Sequence, residues 1–165
     1  MNVVESQEVV AFHEAGHAVA HHHFGLPLDS IEIRQASGRC VPPSEWRLVL
    51  RDDRILKLAK RESLMQLIIA CCAGKAGVDR WYGYKASTDT NWKQSADYRN
   101  ALDYALKLAG GDEVEAGLWL QIAEHKADKL IAEQWGSIHK LAFALLDREK
   151  LSGAQIDETL VKPNK

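Results

Sequence analysis

Cysteine is scarce in this chain. There are three in 165 residues, two of them adjacent (Cys71, Cys72) in an apolar run, which argues against a disulfide framework and reads as reduced core residues. No C-x-x-C pair occurs, so a cysteine zinc site is not expected. Long apolar runs are missing as well. The longest, Leu67 to Ala73, is far below the ~20 residues that span a bilayer. Nor is there an excess of one charge: 21 Lys and Arg stand against 23 Asp and Glu, a net charge of −2 with no electrostatic case for nucleic acid or an anionic membrane surface. The N-terminus shows no basic region followed by an apolar core and a small-residue cleavage site, so no signal peptide is read and a cytoplasmic location is expected. Nothing repeats, and no segment is of low complexity. With 46% hydrophobic and 27% charged residues, the chain has the composition of a soluble globular protein. Its length suits one domain over residues 1–165, with a proper core and no room for a second sizeable module.

Against that plain background one stretch stands out, Ala11-Phe12-His13-Glu14-Ala15-Gly16-His17-Ala18-Val19-Ala20. It has the H-E-x-x-H form. On a helix rising ~1.5 Å per residue, His13 and His17 lie on one face ~6 Å apart along the axis, so both can reach one ion at ~2.0–2.1 Å. Glu14 sits about 100° round the helix from His13. That place suits a general base for a metal-activated water. An amphipathic helix with surface histidines is the alternative, but Val9, Val10, Phe12 and Val19 make the segment apolar around the imidazoles, and buried histidines need a reason to be there. His21 continues the stripe, yet it lies ~12 Å along the axis from His13, too far to share the same ion. The run His21-His22-His23 is therefore expected to be solvated or to support the ligands from behind.

The spacing predicts a first helix from about Ser6 to Phe24, stopped by Gly25 and Pro27. Leu28 to Arg34 alternates like a half-buried strand, Ser37-Gly38 reads as a turn, and Trp46 to Leu50 reads as a second strand. Asp52 or Asp53 is expected to cap a helix from near Arg54. Leu64 to Gly83 reads as a central helix buried on most sides, its Gly74 and Gly77 letting another helix, or the metal helix itself, come close. Tyr84 to Gln94 reads as a loop. Ser95 then looks like the N-cap of a helix to about Ala109, ended by Gly110-Gly111. Residues 113–150 read as one long helix or two broken near Gly136. Ser152 to Gln155 has capping-box form before a short helix carrying Ile156 and Leu160.

A catalytic zinc site takes three protein ligands and keeps a position open. Spacing alone leaves Asp79, Asp89, Asp97, Asp103 and Glu115 as candidates for the third. Asp97 leads them modestly, because its helix carries the small residues Ala101 and Ala105.

Four stretches taken together, His13-Glu14-Ala15-Gly16-His17-Ala18, Ala73 to Gly83, Ser95-Ala96-Asp97 with Ala101 and Ala105, and Leu141-Ala142 to Gly153, resemble the peptidase domain of the FtsH family in order and approximate spacing. The likeness covers nearly the whole chain. It implies a mainly α fold with a small β-sheet, in which the H-E-x-x-H helix packs within a helical bundle. It also implies zinc held by His13, His17 and Asp97, with Asp89 as runner-up because the loop before Asp97 looks longer than the family's. Glu14 would be the catalytic base of a zinc metalloendopeptidase, and an edge strand within Ile31 to Leu50 would bind the substrate backbone. Implied partners are a peptide or unfolded protein substrate, a separate ATPase and further copies of the chain, since that family forms rings. Two departures stand out. The family's ATPase and membrane segments have no counterpart in this sequence. Gly77-Val78-Asp79 replaces an Ala-Glu-Glu, leaving Asp79 to support a ligand histidine. Two other functions remain to be separated by assay: a narrow regulatory protease acting on one partner, and a non-catalytic zinc-containing binding or assembly module.

Overall fold

The computed structural model describes residues 7–34, 37–44, 61–83 and 89–161. They are mainly helical, with one small antiparallel sheet. In chain order the elements are α1 (Gln7–Phe24), β1 (Ser30–Arg34), β2 (Ser37–Val41), α2 (Arg61–Tyr82), α3 (Asp89–Gln94), α4 (Ala96–Leu108), α5 (Glu113–Glu133), α6 (Trp135–Arg148), β3 (Lys150–Ser152) and α7 (Gly153–Val161). The expected strand at Trp46 to Leu50 and the helix near Arg54 with its Asp52 or Asp53 cap lie outside the described residues.

The motif helix is the centre. From Val9 to Ala20 every residue of α1 is buried except half-buried His13. It packs on α2, α6 and the strands β1 and β2, while α2 packs in turn on α4 and α5. Ala11, Ala15, Gly16, Ala18 and Ala20 make so complete a burial possible, since short side chains let neighbours approach from several sides. The helix ends as its glycine predicts: Gly25 takes a φ of 65°, and the amides of Leu26 and Gly25 donate to the carbonyls of His21 and His22.

Close approach is tightest between α1 and α2. A methyl group on Gly16 would stand 2.4 Å from the Ala73 carbonyl oxygen, and one on Gly77 would stand 2.7 Å from that of Phe12. The glycines of α2 thus serve the purpose expected of them, and Gly16 supplies the matching gap on α1. Replacing Gly16 by alanine gains ~1 kcal/mol of helix propensity, but the obstacle is backbone that cannot swing away, and overpacking of this kind costs about 1–3 kcal/mol. Gly16→Ala is expected to be net destabilising, seen as a lower urea midpoint at unchanged slope.

β1 is the middle strand, paired antiparallel to β2 and β3. Its Ile31 and Ile33 face the core at 0% and 3% exposure, as the alternation predicts. Ser37 and Gly38 do not form the expected turn; both lie in β2. The glycine reflects a different need, because a side chain at Gly38 would run into Glu14. The strand is more deeply buried than a half-buried alternation predicts: on the opposite face Glu32, at 9% exposure, is covered by its neighbours and stands in register with Arg39 of β2 and Lys150 of β3. Its carboxylate accepts a hydrogen bond from Arg39, which holds its pKa below the ordinary 4.5. A depressed carboxyl pKa contributes stability above the unfolded value, and that contribution is lost as pH falls through the folded one. Glu32→Gln is therefore expected to melt lower than wild type at pH 7, with the gap in Tm closing as the pH drops below about 4.5.

Other elements differ from expectation in ways the side chains explain. Within the expected loop Tyr84 to Gln94, residues 89–94 form α3. Its polar sequence carries one anchor, Trp92, buried to 5% exposure, whose indole N–H donates to Glu124 at 2.6 Å. One apolar residue in six gives no helical period to read. The long segment is two helices, the second of the expected alternatives, parted at Gln134 close to Gly136, while its last residue Lys150 belongs to β3 instead. Ser152 and Gln155 form the expected capping box, each side chain accepting from the other's amide at 3.3 and 2.8 Å.

Candidate metal centre

His13 and His17 leave α1 one turn apart, on the side that faces α2 and α4. His13 Nε2 lies 3.0 Å from Asp97 Oδ2, His17 Nε2 lies 3.2 Å from the same oxygen, and the two nitrogens are 3.0 Å apart. Asp97 arrives from the first turn of α4, 80 residues beyond His17. The cap sets it there: the Ser95 hydroxyl accepts the Tyr98 amide at 3.0 Å, fixing where α4 begins. Among the described residues these three form the group of metal-ligating side chains whose donor atoms converge.

The remaining acids have other employment. Asp103 pairs with Lys107, Glu115 accepts the Trp119 indole N–H at 2.9 Å, and Asp79 pairs with Lys75 at 2.5 Å. The side chain of Asp89 lies outside the described residues. Support for His17 comes from a group the sequence does not single out, the Ala70 carbonyl of α2, which accepts its Nδ1–H at 2.8 Å. That bond aims Nε2 at Asp97 and His13, the direction from which a metal would take the place of its proton.

Electrostatics bind the three together. Burial pushes the His17 imidazole down, but the Asp97 carboxylate outweighs it, aided by Glu14 and the Ala70 carbonyl, and the pKa is raised to about 9. Burial likewise pushes the Asp97 carboxyl up, and His17 and His13 overcome it, holding it well below the usual carboxylate range. Ligand sets of this kind release protons when a metal takes their place. The donor set also fits the size of such an ion. A tetrahedral ion at ~2.0–2.1 Å from each ligand sets ligand atoms ~3.3–3.4 Å apart, close to the 3.0–3.2 Å found.

Two glycines make room for this group. A methyl on Gly74 would fall 2.4 Å from His17 Nε2 and 2.8 Å from His13 Nε2, so α2 passes directly behind the imidazoles. A methyl on Gly38 would fall 2.6 Å from Glu14 Oε1, so β2 crosses over that carboxylate. Two residues further along the strand, the Cys40 thiol donates to the Glu14 carbonyl at 3.6 Å. The result is a cleft of about 380 Å³ with His13, Glu14, His17 and Asp97 in its wall. His13 and Asp97 keep about a third of their side-chain surface open to solvent, against 10% for His17, so the group is reached from their side.

Cys40, Cys71, Asn100 and Tyr104 also line this cleft and are absent from the sequence reading of the site. Asn100 and Tyr104 had a signal, standing one and two turns beyond Asp97 on the same helix face. The two thiols had none, because their strand and helix positions become neighbours only in the fold. Burial pushes both thiols well above their ordinary pKa, so they stand as neutral SH groups.

His21 lines the cleft but does not join the donor group, as its distance along α1 predicts. Burial, helped by the neighbouring His17, lowers its pKa to about 4, leaving the ring neutral at pH 7. His22 instead pairs with Asp157 at 3.1 Å on the surface. His23 lines a separate hollow of about 760 Å³ beside α5, with Leu118, His125 and Lys129 in its wall. The chain matches no protein-family model and no curated protein.

Proposed function

We propose that this protein is a zinc-dependent endopeptidase, a single catalytic domain of the FtsH peptidase type acting in the cytoplasm on peptides or unfolded chains. The observation that carries the reading is the meeting of His13, His17 and Asp97 donor atoms within 3.2 Å of one another, beside Glu14 in one solvent-reached cleft. Two imidazoles and one carboxylate are a ligand set of catalytic zinc, which leaves a coordination position open. When bound, zinc supplies a Lewis acid that polarises a substrate carbonyl and makes water acidic enough to attack near neutral pH.

The chain's own groups do the rest. Glu14, covered by β2 and buried to 4% exposure, takes the proton from the attacking water and returns it to the departing amine. Ala70 keeps the His17 ring in its ligating orientation. The side of β2 on which no described strand pairs, and whose Gly38 and Cys40 border the cleft, receives the substrate backbone as an added strand. No helix among the described residues is long and apolar enough to cross a membrane. A separate ATPase delivering unfolded chains, and self-association, are consistent partners for such a domain.

Cleavage of casein and of a quenched-peptide pool, with and without chelator, tests the reading. Chelator-sensitive cleavage that returns with zinc is expected. Cleavage of one cognate protein alone would narrow the enzyme to a regulatory protease. Absence of any cleavage by the zinc-loaded chain would leave a binding or assembly module.

A further inference from the structure

The sheet carries a charge pattern that the peptidase reading does not use. Ser37 and Arg39 of β2 are exposed, Arg39 also bordering the cleft, while Gly38 lies against the Glu14 side chain and Cys40 reaches the Glu14 carbonyl. On the solvent face Arg39, Glu32 and Lys150 stand opposite one another across β2, β1 and β3. Arg34, paired with Ser37 in the register, joins them. Among the described residues the ion pairs of all three cations end on Glu32: Arg39 directly, Lys150 at 3.6 Å and Arg34 at 3.8 Å. One carboxylate is shared by three cations whose side chains are 61–76% exposed. Among the described residues the face carries more positive than negative charge, and the row across the strands runs cation, anion, cation.

β2 ends that row. Among the described residues it has β1 on one side and no strand on the other. A segment added there continues the alternation of the sheet: residues opposite Gly38 and Cys40 turn toward the cleft, and the residue opposite Arg39 turns onto the cationic face. Directly opposed side chains lie ~4.5–5.5 Å apart at Cβ, close enough for opposite charges to attract and like charges to repel. Cation and anion alternate along the row, and the place beside Arg39, which no described residue fills, calls for an acid.

We infer that β2 selects extended peptides carrying an aspartate or glutamate at the position beside Arg39, next in sequence to a residue whose side chain enters the cleft. The inference rests on the peptidase reading for its occupant, and on the sheet register for its selectivity. It adds a substrate class to that reading, peptides with an acidic residue at one fixed step from the scissile region.

The test uses labelled peptides with an Ala/Ser/Thr background in which one Glu, Ala or Lys is moved through each position. Fluorescence anisotropy with zinc-loaded Glu14→Gln protein reads binding, and the wild type reads cleavage of the same set. At one position Glu is expected to bind about two- to fivefold more tightly than Ala, with Lys weaker than Ala. Arg39→Met should flatten that preference and Arg39→Glu should reverse it, with thermal melts checking that each variant folds. High salt should weaken the preference in the wild type. Equal binding of Glu, Ala and Lys peptides at every position overturns the inference. Cleavage without acidic preference overturns it and leaves the peptidase standing. Acid-selective binding lost in Arg39→Met but accompanied by no wild-type cleavage supports the charged edge and removes the peptidase. Neither binding nor cleavage sinks both.

Discussion

Glu14→Gln is expected to bind one zinc per chain and to cleave peptides about 10²–10⁴-fold more slowly than wild type, the usual size of a general acid–base contribution. The amide keeps the shape of the carboxylate, so the contact with Gly38 and the packing under β2 are preserved. What it cannot do is accept a proton. The fall should therefore appear mainly in kcat, with metal content measured by elemental analysis unchanged and binding of uncleaved peptides retained. His13→Ala gives the contrasting pattern, losing metal and cleavage together, because it removes one of the three converging donors. If Glu14→Gln cleaves at the wild-type rate, the base lies elsewhere and the proposed mechanism is wrong.

Gly74→Ala is expected to separate metal affinity from folding. The added methyl would stand 2.4 Å from His17 Nε2 and 2.7 Å from His13 Cε1, a distance no real contact tolerates. Unlike the backbone obstacle at Gly16, the atoms in the way are the ends of two rotatable side chains. The imidazoles can turn aside, and the helix gains ~1 kcal/mol of propensity in exchange for its glycine. The variant should therefore still fold, with a Tm lowered by no more than the loss of one buried His17 bond. Zinc affinity should fall by at least the 10–100-fold typical of losing a supporting partner, since the rings can no longer face Asp97 and keep the Ala70 bond at once. Competition with a chromophoric chelator measures this. Unchanged affinity would mean that the ion is not held by these two rings.

These two variants also show what was legible in the sequence. The H-E-x-x-H helix, the Ser95 cap, the stops at Gly25 and Gly110, and the capping box at Ser152 are local signals, decided within one turn of chain. Each is found where the residues indicate. Asp97 was legible in part. Its place beside a capped helix start could be read, but its convergence on the histidines depends on packing across 80 residues and was suggested by resemblance rather than by spacing. Gly38 shows why a local reading fails. A glycine after a serine reads as a turn, whereas here it gives the Glu14 carboxylate room beneath a strand. Gly74 raised a general expectation of close approach, without indicating that imidazoles rather than helix backbone would be its neighbours. Trp92 misled by isolation, because a single buried indole can anchor a polar helical turn that shows no periodic pattern. Cys40 and the Ala70 carbonyl left no trace, since their contacts with α1 exist only once the strand and helix have docked.

The proposed centre is three side chains holding one divalent ion, and X-ray absorption at the zinc edge of the zinc-loaded chain examines that directly. It predicts one zinc per chain, with nitrogen and oxygen scatterers at ~2.0–2.1 Å, the outer-shell pattern of two imidazoles and no sulfur. Asp97→Ala should lose an oxygen scatterer or the ion itself. A sulfur shell at ~2.3 Å would move the metal to the thiols of Cys40 or Cys71. That result, or a failure to bind zinc stoichiometrically, would contradict the proposed centre.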